Sequence, residues 1–130
     1  MGEMSGLDAV LARMKAAAEM TRLRLIALFT KAELTVTEVT QILRQSQPRI
    51  SRHLKLLCEA GLIERTKEGS WVFYRLSEGA EARRFVSELS SLLPWDDSVI
   101  LRDLERLEAV RRQRQAEAQA YFADNAAQWD

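Results

Sequence analysis

Cysteine and histidine are nearly absent from this chain: its 130 residues hold one of each, Cys58 and His53. One thiol makes no intramolecular disulfide, and this pair excludes a zinc centre of the multi-cysteine kind. A metal site would need almost wholly carboxylate ligands, so no metal and no other cofactor is expected. No run of about 18 apolar residues occurs, which excludes a transmembrane helix. Asp8, Arg13 and Lys15 interrupt the region where a secretory signal needs an unbroken apolar stretch, so a cytoplasmic protein is expected. There is no internal repeat and no low-complexity tract.

An excess of one charge is lacking too, since 19 Lys and Arg balance 19 Asp and Glu. A zero total argues at first against a nucleic-acid partner, but the distribution is uneven. Residues 1–33 carry five cations against four anions, residues 34–76 seven against four, and residues 77–130 seven against eleven. A positive middle joins a negative tail, and local charge sets affinity for phosphates.

Apolar residues at Leu7, Val10, Leu11, Met14, Ala17 and Ala18 predict a helix over Leu7–Met20. Thr21 is placed to cap a second helix carrying Leu23, Leu25, Ile26, Leu28 and Phe29, apolar nearly all round and so central to the core. Thr35-Val36-Thr37-Glu38 fits a capping box. The helix it opens has Val39, Ile42 and Leu43 on one face and ends near Gln45. Pro48 fits the first turn of a new helix, which runs to about Ala60 with Gly61 just beyond its end. Leu62–Thr66 and Ser70–Leu76 are β-rich and flank Lys67-Glu68-Gly69, which predicts a hairpin. Glu81–Leu93 is amphipathic and stops at Pro94. Asp96, Asp97 or Ser98 then caps a last helix with Ile100, Leu101, Leu104, Leu107 and Val110. Its second half, Arg111–Gln119, is polar nearly all round and reads as a solvent-crossing linker.

Two short helices, a tight turn and a hairpin make a winged helix-turn-helix, in which the second helix enters the major groove. The predicted fold is mainly α with a β-hairpin wing (α+β), dimeric, with a long C-terminal helix. Residues 1–94 form the DNA-binding and dimerisation domain, and residues 95–130 a helical extension. On the second helix, Ile50, Leu54, Leu57 and Cys58 share the inward face. The segment Gln45–Leu57 holds three cations and no anion. Arg pairs bidentately with guanine and Gln with adenine, so Arg49, Arg52 and Gln47 are the candidate base readers. Ser51 and Lys55 suit phosphates, and His53 is either a DNA contact or a hydrogen-bonded residue at the edge of the core. In the wing, Lys67 near the tip is the best-placed cation, with Arg65 and Arg75 as further candidates. Trp71, Phe73 and Tyr74 read as packing residues. Trp95 either plugs a dimer interface or lines a pocket. Cys58 reads as a small buried hydrophobe rather than a sensor thiol.

Ile50-Ser51-Arg52-His53-Leu54-Lys55-Leu56-Leu57, with Ala60-Gly61-Leu62-Ile63, resembles the recognition helix and first wing strand of the ArsR/SmtB family of bacterial repressors. Thr21–Leu25 is similar to that family's second-helix motif and Gly69–Leu76 to its wing. The resemblance implies a homodimer joined through the first helix and the helix at Glu81–Leu93, repressing from a near-palindromic operator until an inducer arrives. It departs from the family where metal binds: Leu34–Val39 has no thiol pair, and Glu81–Leu93 has no His or Asp. A non-metal signal is therefore expected. The tail, Tyr121 to Asp130, resembles the segment that leads into S-adenosylmethionine-dependent methyltransferase domains. That suggests an alternative, the N-terminal regulatory part of such an enzyme, with S-adenosylmethionine or S-adenosylhomocysteine as signal. A third reading is a protein-interaction module built on Val99–Val110. The first reading is a repressor and not an enzyme.

Overall fold

The computed structural model of the chain describes residues 6–128. Helices α1 (Gly6–Ala17) and α2 (Met20–Phe29) are parted by two residues, Ala18 and Glu19. Glu19, not Thr21, caps α2: its carboxylate accepts from the Arg22 amide at 2.9 Å. The longer side chain reaches the third amide of the helix and starts it earlier. Thr21 is instead buried inside α2, where its hydroxyl accepts from Gln45 Nε2 at 3.1 Å.

Helix α3 (Val36–Leu43) opens on the expected capping box. Thr35 Oγ1 accepts from the Glu38 amide at 3.2 Å, and Glu38 Oε1 accepts from the Thr35 amide at 2.9 Å. It ends before Gln45 because Arg44 turns left-handed, φ 54°. Three residues on, α4 (Gln47–Glu59) begins with Pro48 in its first turn. It closes as a Schellman motif: Gly61 N donates to Cys58 O at 3.0 Å and Leu62 N to Leu57 O at 3.1 Å. That geometry puts Gly61 at φ +76°, open to glycine at no steric cost.

Strands β1 (Ile63–Glu68) and β2 (Trp71–Leu76) pair antiparallel in the register Ile63↔Leu76 to Glu68↔Trp71. The connection is the two residues Gly69-Ser70, not Lys67–Gly69. Gly69 at φ +62° takes the first turn position, so Lys67 and Glu68 stay in the ladder. Reciprocal backbone bonds between Leu34 and Tyr74, 3.1 and 2.8 Å, fasten β2 to the residues ahead of α3. The wing is thus tied to the helix-turn-helix on both sides.

Helix α5 (Ala80–Leu92) leads through a short link to α6 (Ser98–Gln128). Asp97 caps α6, its Oδ1 accepting from the Val99 amide at 2.8 Å. In the link, Trp95 Nε1 donates to Ser90 O at 2.9 Å and Lys31 stands 4.7 Å over the ring. Leu25, Ile26, Leu28, Leu34, Ile42, Ile50, Leu54, Leu57 and Leu62 are fully buried, and Leu107 and Val110 of α6 join the same cluster. The segment from residue 95 therefore does not stand apart from the first 94 residues; its first half shares their core.

Arginines along the middle of α6, reaching into the expected linker Arg111–Gln119, are tied down rather than solvent-crossing. Arg106 donates to Ile42 O at 3.0 Å, Arg114 Nε to Glu38 Oε2 at 2.6 Å, and Arg111 to Lys31 O. Arg106 and Arg114 hold α6 against both ends of α3, and Arg111 ties it to the turn after α2. Apart from the half-buried Arg114, the helix runs exposed from residue 111 to residue 124. No described helix is long and apolar enough to cross a membrane.

Candidate nucleic-acid interface

At 3.6 residues per turn, Ile50, Leu54 and Leu57 align on one side of α4, and all three are buried. That row anchors the helix to the core and fixes what it turns outward. Gln47, Arg49, Ser51, Arg52 and Lys55 are all exposed, with Arg52 directly opposite the buried row. Arg44, exposed in the left-handed turn before α4, adds a cation that the sequence reading missed. Its signal was only its place between the two helices. Lys55 approaches Glu59 at 4.0 Å, an exposed pair that costs the lysine little freedom.

The start of α4 holds a second feature that was missed. Ser46 makes no side-chain cap bond, and the first turn has no acidic residue. The leading amides are left for an outside acceptor, and a helix N-terminus attracts anions. The absence of Asp or Glu near Ser46 was the available signal.

His53 is the candidate that the fold withdraws. Its side chain is 12% exposed and its Nδ1 lies 3.1 Å from an Arg22 guanidinium nitrogen. Arginine only donates, so Nδ1 accepts and the ring proton sits on Nε2. Burial first, then the charges of Arg22, Arg49 and Arg52, holds His53 below its usual value against the pull of Glu19. His53 fastens α4 to α2 as a neutral ring and belongs to the edge of the core.

The wing sorts its cations by strand alternation. Arg65 and Lys67 share a face with Tyr74 and Val72, and Lys67 is exposed one register step from the turn. Arg65 stands 5.9 Å over the Tyr74 ring. Arg75 is on the other face and is not available: Glu64, Glu78 and Glu33 surround it at 2.9, 3.3 and 3.8 Å. A cleft of about 310 Å³ brings Gln47 and Ser51 of α4 beside Thr35, Thr37, Arg65 and Trp71. The fold therefore gathers Gln47, Ser51 and the wing, leaves Arg49, Arg52 and Lys55 on the open helix face, and removes His53 and Arg75.

A sequence profile described as "Bacterial regulatory protein, arsR family" matches residues 19–65, from the α2 cap into the first wing strand. The chain is 31% identical to HlyU from Vibrio cholerae with a TM-score of 0.61, over 69% of this chain and 97% of HlyU. The chain belongs to the ArsR family. Over 64 residues it is 50% identical to the arsenical resistance operon repressor of Escherichia coli K12, covering 48% of this chain and 55% of that protein. It is also similar to the homodimeric winged helix-turn-helix DNA-binding domain of Mb0332 from Mycobacterium bovis, described as a possible ArsR-family regulator. There the identity is 25% and the TM-score 0.61, over 74% of this chain and 93% of that domain. The chain spans about half the length of the arsenic repressors it matches, 55% of the Escherichia coli protein and 49% of ArsR1 from Pseudomonas putida.

Within this ArsR-family fold, no three His, Cys, Asp or Glu side chains gather as metal ligands among the described residues. Cys58 is half-buried, and burial pushes its thiol up against the opposing charge of Arg65. A thiol held above its usual value is a poor nucleophile.

Proposed function

We propose that this ArsR-family chain is a DNA-binding repressor that reads a near-palindromic operator as a homodimer and answers a signal other than a metal ion. The observation that carries this reading is the open face of α4. Arg49, Arg52 and Lys55 are exposed there with Gln47 and Ser51, the helix start is uncapped, and Lys67 extends the cationic surface onto the wing. Phosphate contacts from Ser51, Lys55, Lys67 and the leading amides would set register, while Arg49, Arg52 and Gln47 read bases.

A dimer is supported by an apolar surface apart from the reading face. A groove of about 920 Å³ runs between α1 and α5, lined by Val10, Met14, Leu23, Phe85, Leu89 and Leu92 among others. Leu7, Met14 and Leu92 are 80%, 54% and 79% exposed. A contiguous apolar surface of this kind marks an interface, and a two-fold axis through it would repeat the reading helix on both half-sites. Met14→Glu should halve the mass seen by light scattering while leaving the helical circular dichroism unchanged. A variant that stays dimeric places the interface elsewhere.

The deciding experiment is fluorescence anisotropy on an inverted-repeat duplex across a salt series. Lys55 and Lys67 of each protomer give about four cation–phosphate contacts per dimer, for which affinity should fall by about a hundredfold between 50 and 200 mM salt. A flat salt response would sink the proposal. No observation favours the methyltransferase reading: α6 continues as helix through Gln128, Tyr121 and Phe122 are exposed on it, and Trp129 and Asp130 lie outside the described residues.

A further inference from the structure

A second cleft, of about 480 Å³, lies on the far side of the wing, between α3, β2 and α6. Its floor is aromatic. Trp71 and Phe73 are two residues apart on β2 and so point to the same side of the strand. Its rim is polar and acidic, with Glu38, Gln41, Gln113 and Glu117. Among the described residues the only cation lining it is Arg114, which stands 5.5 Å over the Phe73 ring and is already paired with Glu38. Burial alone would raise the Glu38 carboxyl, and the bonds from Arg114 and Thr35 more than reverse that.

The cleft thus already seats one flat cation on one aromatic ring beside one carboxylate. Trp71 is the neighbouring ring. It is 65% exposed, and no cation of the chain is found over it among the described residues. Among the described residues the second carboxylate, Glu117, is bonded only to the neutral amide of Gln113, at 3.2 Å. One ring and one carboxylate are therefore left without a positive partner. Anions are disfavoured, because the one cation present is neutralised.

We infer that this cleft is an effector site for a small organic cation with a flat apolar body, stacked on Trp71 and paired with Glu117. The walls say what its occupation does. Thr35, Thr37 and Trp71 line both this cleft and the one that contains Gln47 and Ser51. A ligand that moves Trp71 or the start of α3 changes the wall beside the reading helix. Binding at the site stands alone, while its regulatory consequence rests on the DNA-reading proposal.

The test uses benzyltrimethylammonium as the cation and benzenesulfonate as an anion of similar shape. Without DNA, the cation should bind saturably by calorimetry and shift the Trp71 indole resonance while leaving Trp95 in place. Trp71→Leu should weaken it about tenfold, the scale of a part-desolvated cation–π contact, and Glu117→Gln by about two- to fivefold, the scale of an exposed ion pair. Both side chains are outside the core, and thermal melts confirm that the variants fold. Equal binding by the sulfonate, or undiminished binding in both variants, overturns the site. With DNA, saturating cation should lower operator affinity at least fivefold in the unaltered protein, and Glu117→Gln should need correspondingly more cation for the same drop. Cation binding that leaves operator affinity unchanged overturns the effector role. Failure of the unliganded protein to bind DNA at all refutes the repressor reading and leaves the cation titration as the test of the site.

Discussion

Asp103→Ala should lower the stability of the fold by about 3 kcal/mol, with the melting temperature falling by roughly 10 °C. Asp103 is 2% exposed, and Arg24 grips it through two bonds of 2.8 Å, from Nε to Oδ2 and from a terminal nitrogen to Oδ1. The carboxylate holds the Arg24 guanidinium above its usual value against the cost of burying it. Removing one partner of a buried pair leaves the other charge without compensation, at about 3–5 kcal/mol. The Arg24 side chain is 14% exposed, which admits some water and points to the lower end. Arg24→Met with Asp103→Leu removes both charges and should restore most of the loss, because the net worth of such a pair over an apolar one is small. Melts must be compared at one protomer concentration if the chain dimerises. An Asp103→Ala melt within about 2 °C of the parent would show that α6 is not held by this pair.

That pair also shows where the sequence stopped being informative. Asp103 sits on the buried stripe of α6 with Ile100, Leu107 and Val110, and an acidic residue at a core position is a visible anomaly. Its partner is 79 residues away, and no local periodicity connects them. The same holds for Arg106 and Arg114: eight residues apart on one helix face, they read as solvated charge until α3 is laid beneath them. Helix ends were legible wherever the chemistry was local, as with the Thr35–Glu38 box, Pro48 and Gly61. They shifted where two side chains competed for one role, as Glu19 and Thr21 did at α2.

The reading face was legible for a related reason. Ile50, Leu54 and Leu57 define the inward row by spacing alone, so Gln47, Arg49, Ser51, Arg52 and Lys55 had to face outward. His53 and Arg75 were not legible, because each is removed from that surface by partners distant in the chain or across the strand pair. Arg22 takes His53 to the core edge, and Glu33, Glu64 and Glu78 enclose Arg75. An acidic residue opposite a wing arginine could have warned of the second case, since Glu64 pairs with Arg75 in the register.

Arg52→Ala should reduce affinity for the operator by on the order of a hundredfold while reducing affinity for an unrelated duplex far less. A bidentate base contact is worth about 1–3 kcal/mol, and a homodimer loses it at both half-sites, so even the low end multiplies to tens of fold. Arg52 lies opposite the buried row of α4 and is exposed, so thermal stability should not move by more than about 0.5 kcal/mol. Two comparisons separate reading from attraction. Arg52→Lys keeps the charge but loses the planar fork, so it should retain the salt slope and lose sequence preference. Lys55→Ala should weaken operator and unrelated duplex alike and flatten the salt slope by about one unit for each phosphate left without its lysine. Anisotropy titrations on both duplexes at two salt concentrations give all of these values. If Arg52→Ala weakens both duplexes equally, Arg52 is a phosphate contact, and base reading passes to Arg49 and Gln47 on the same open face.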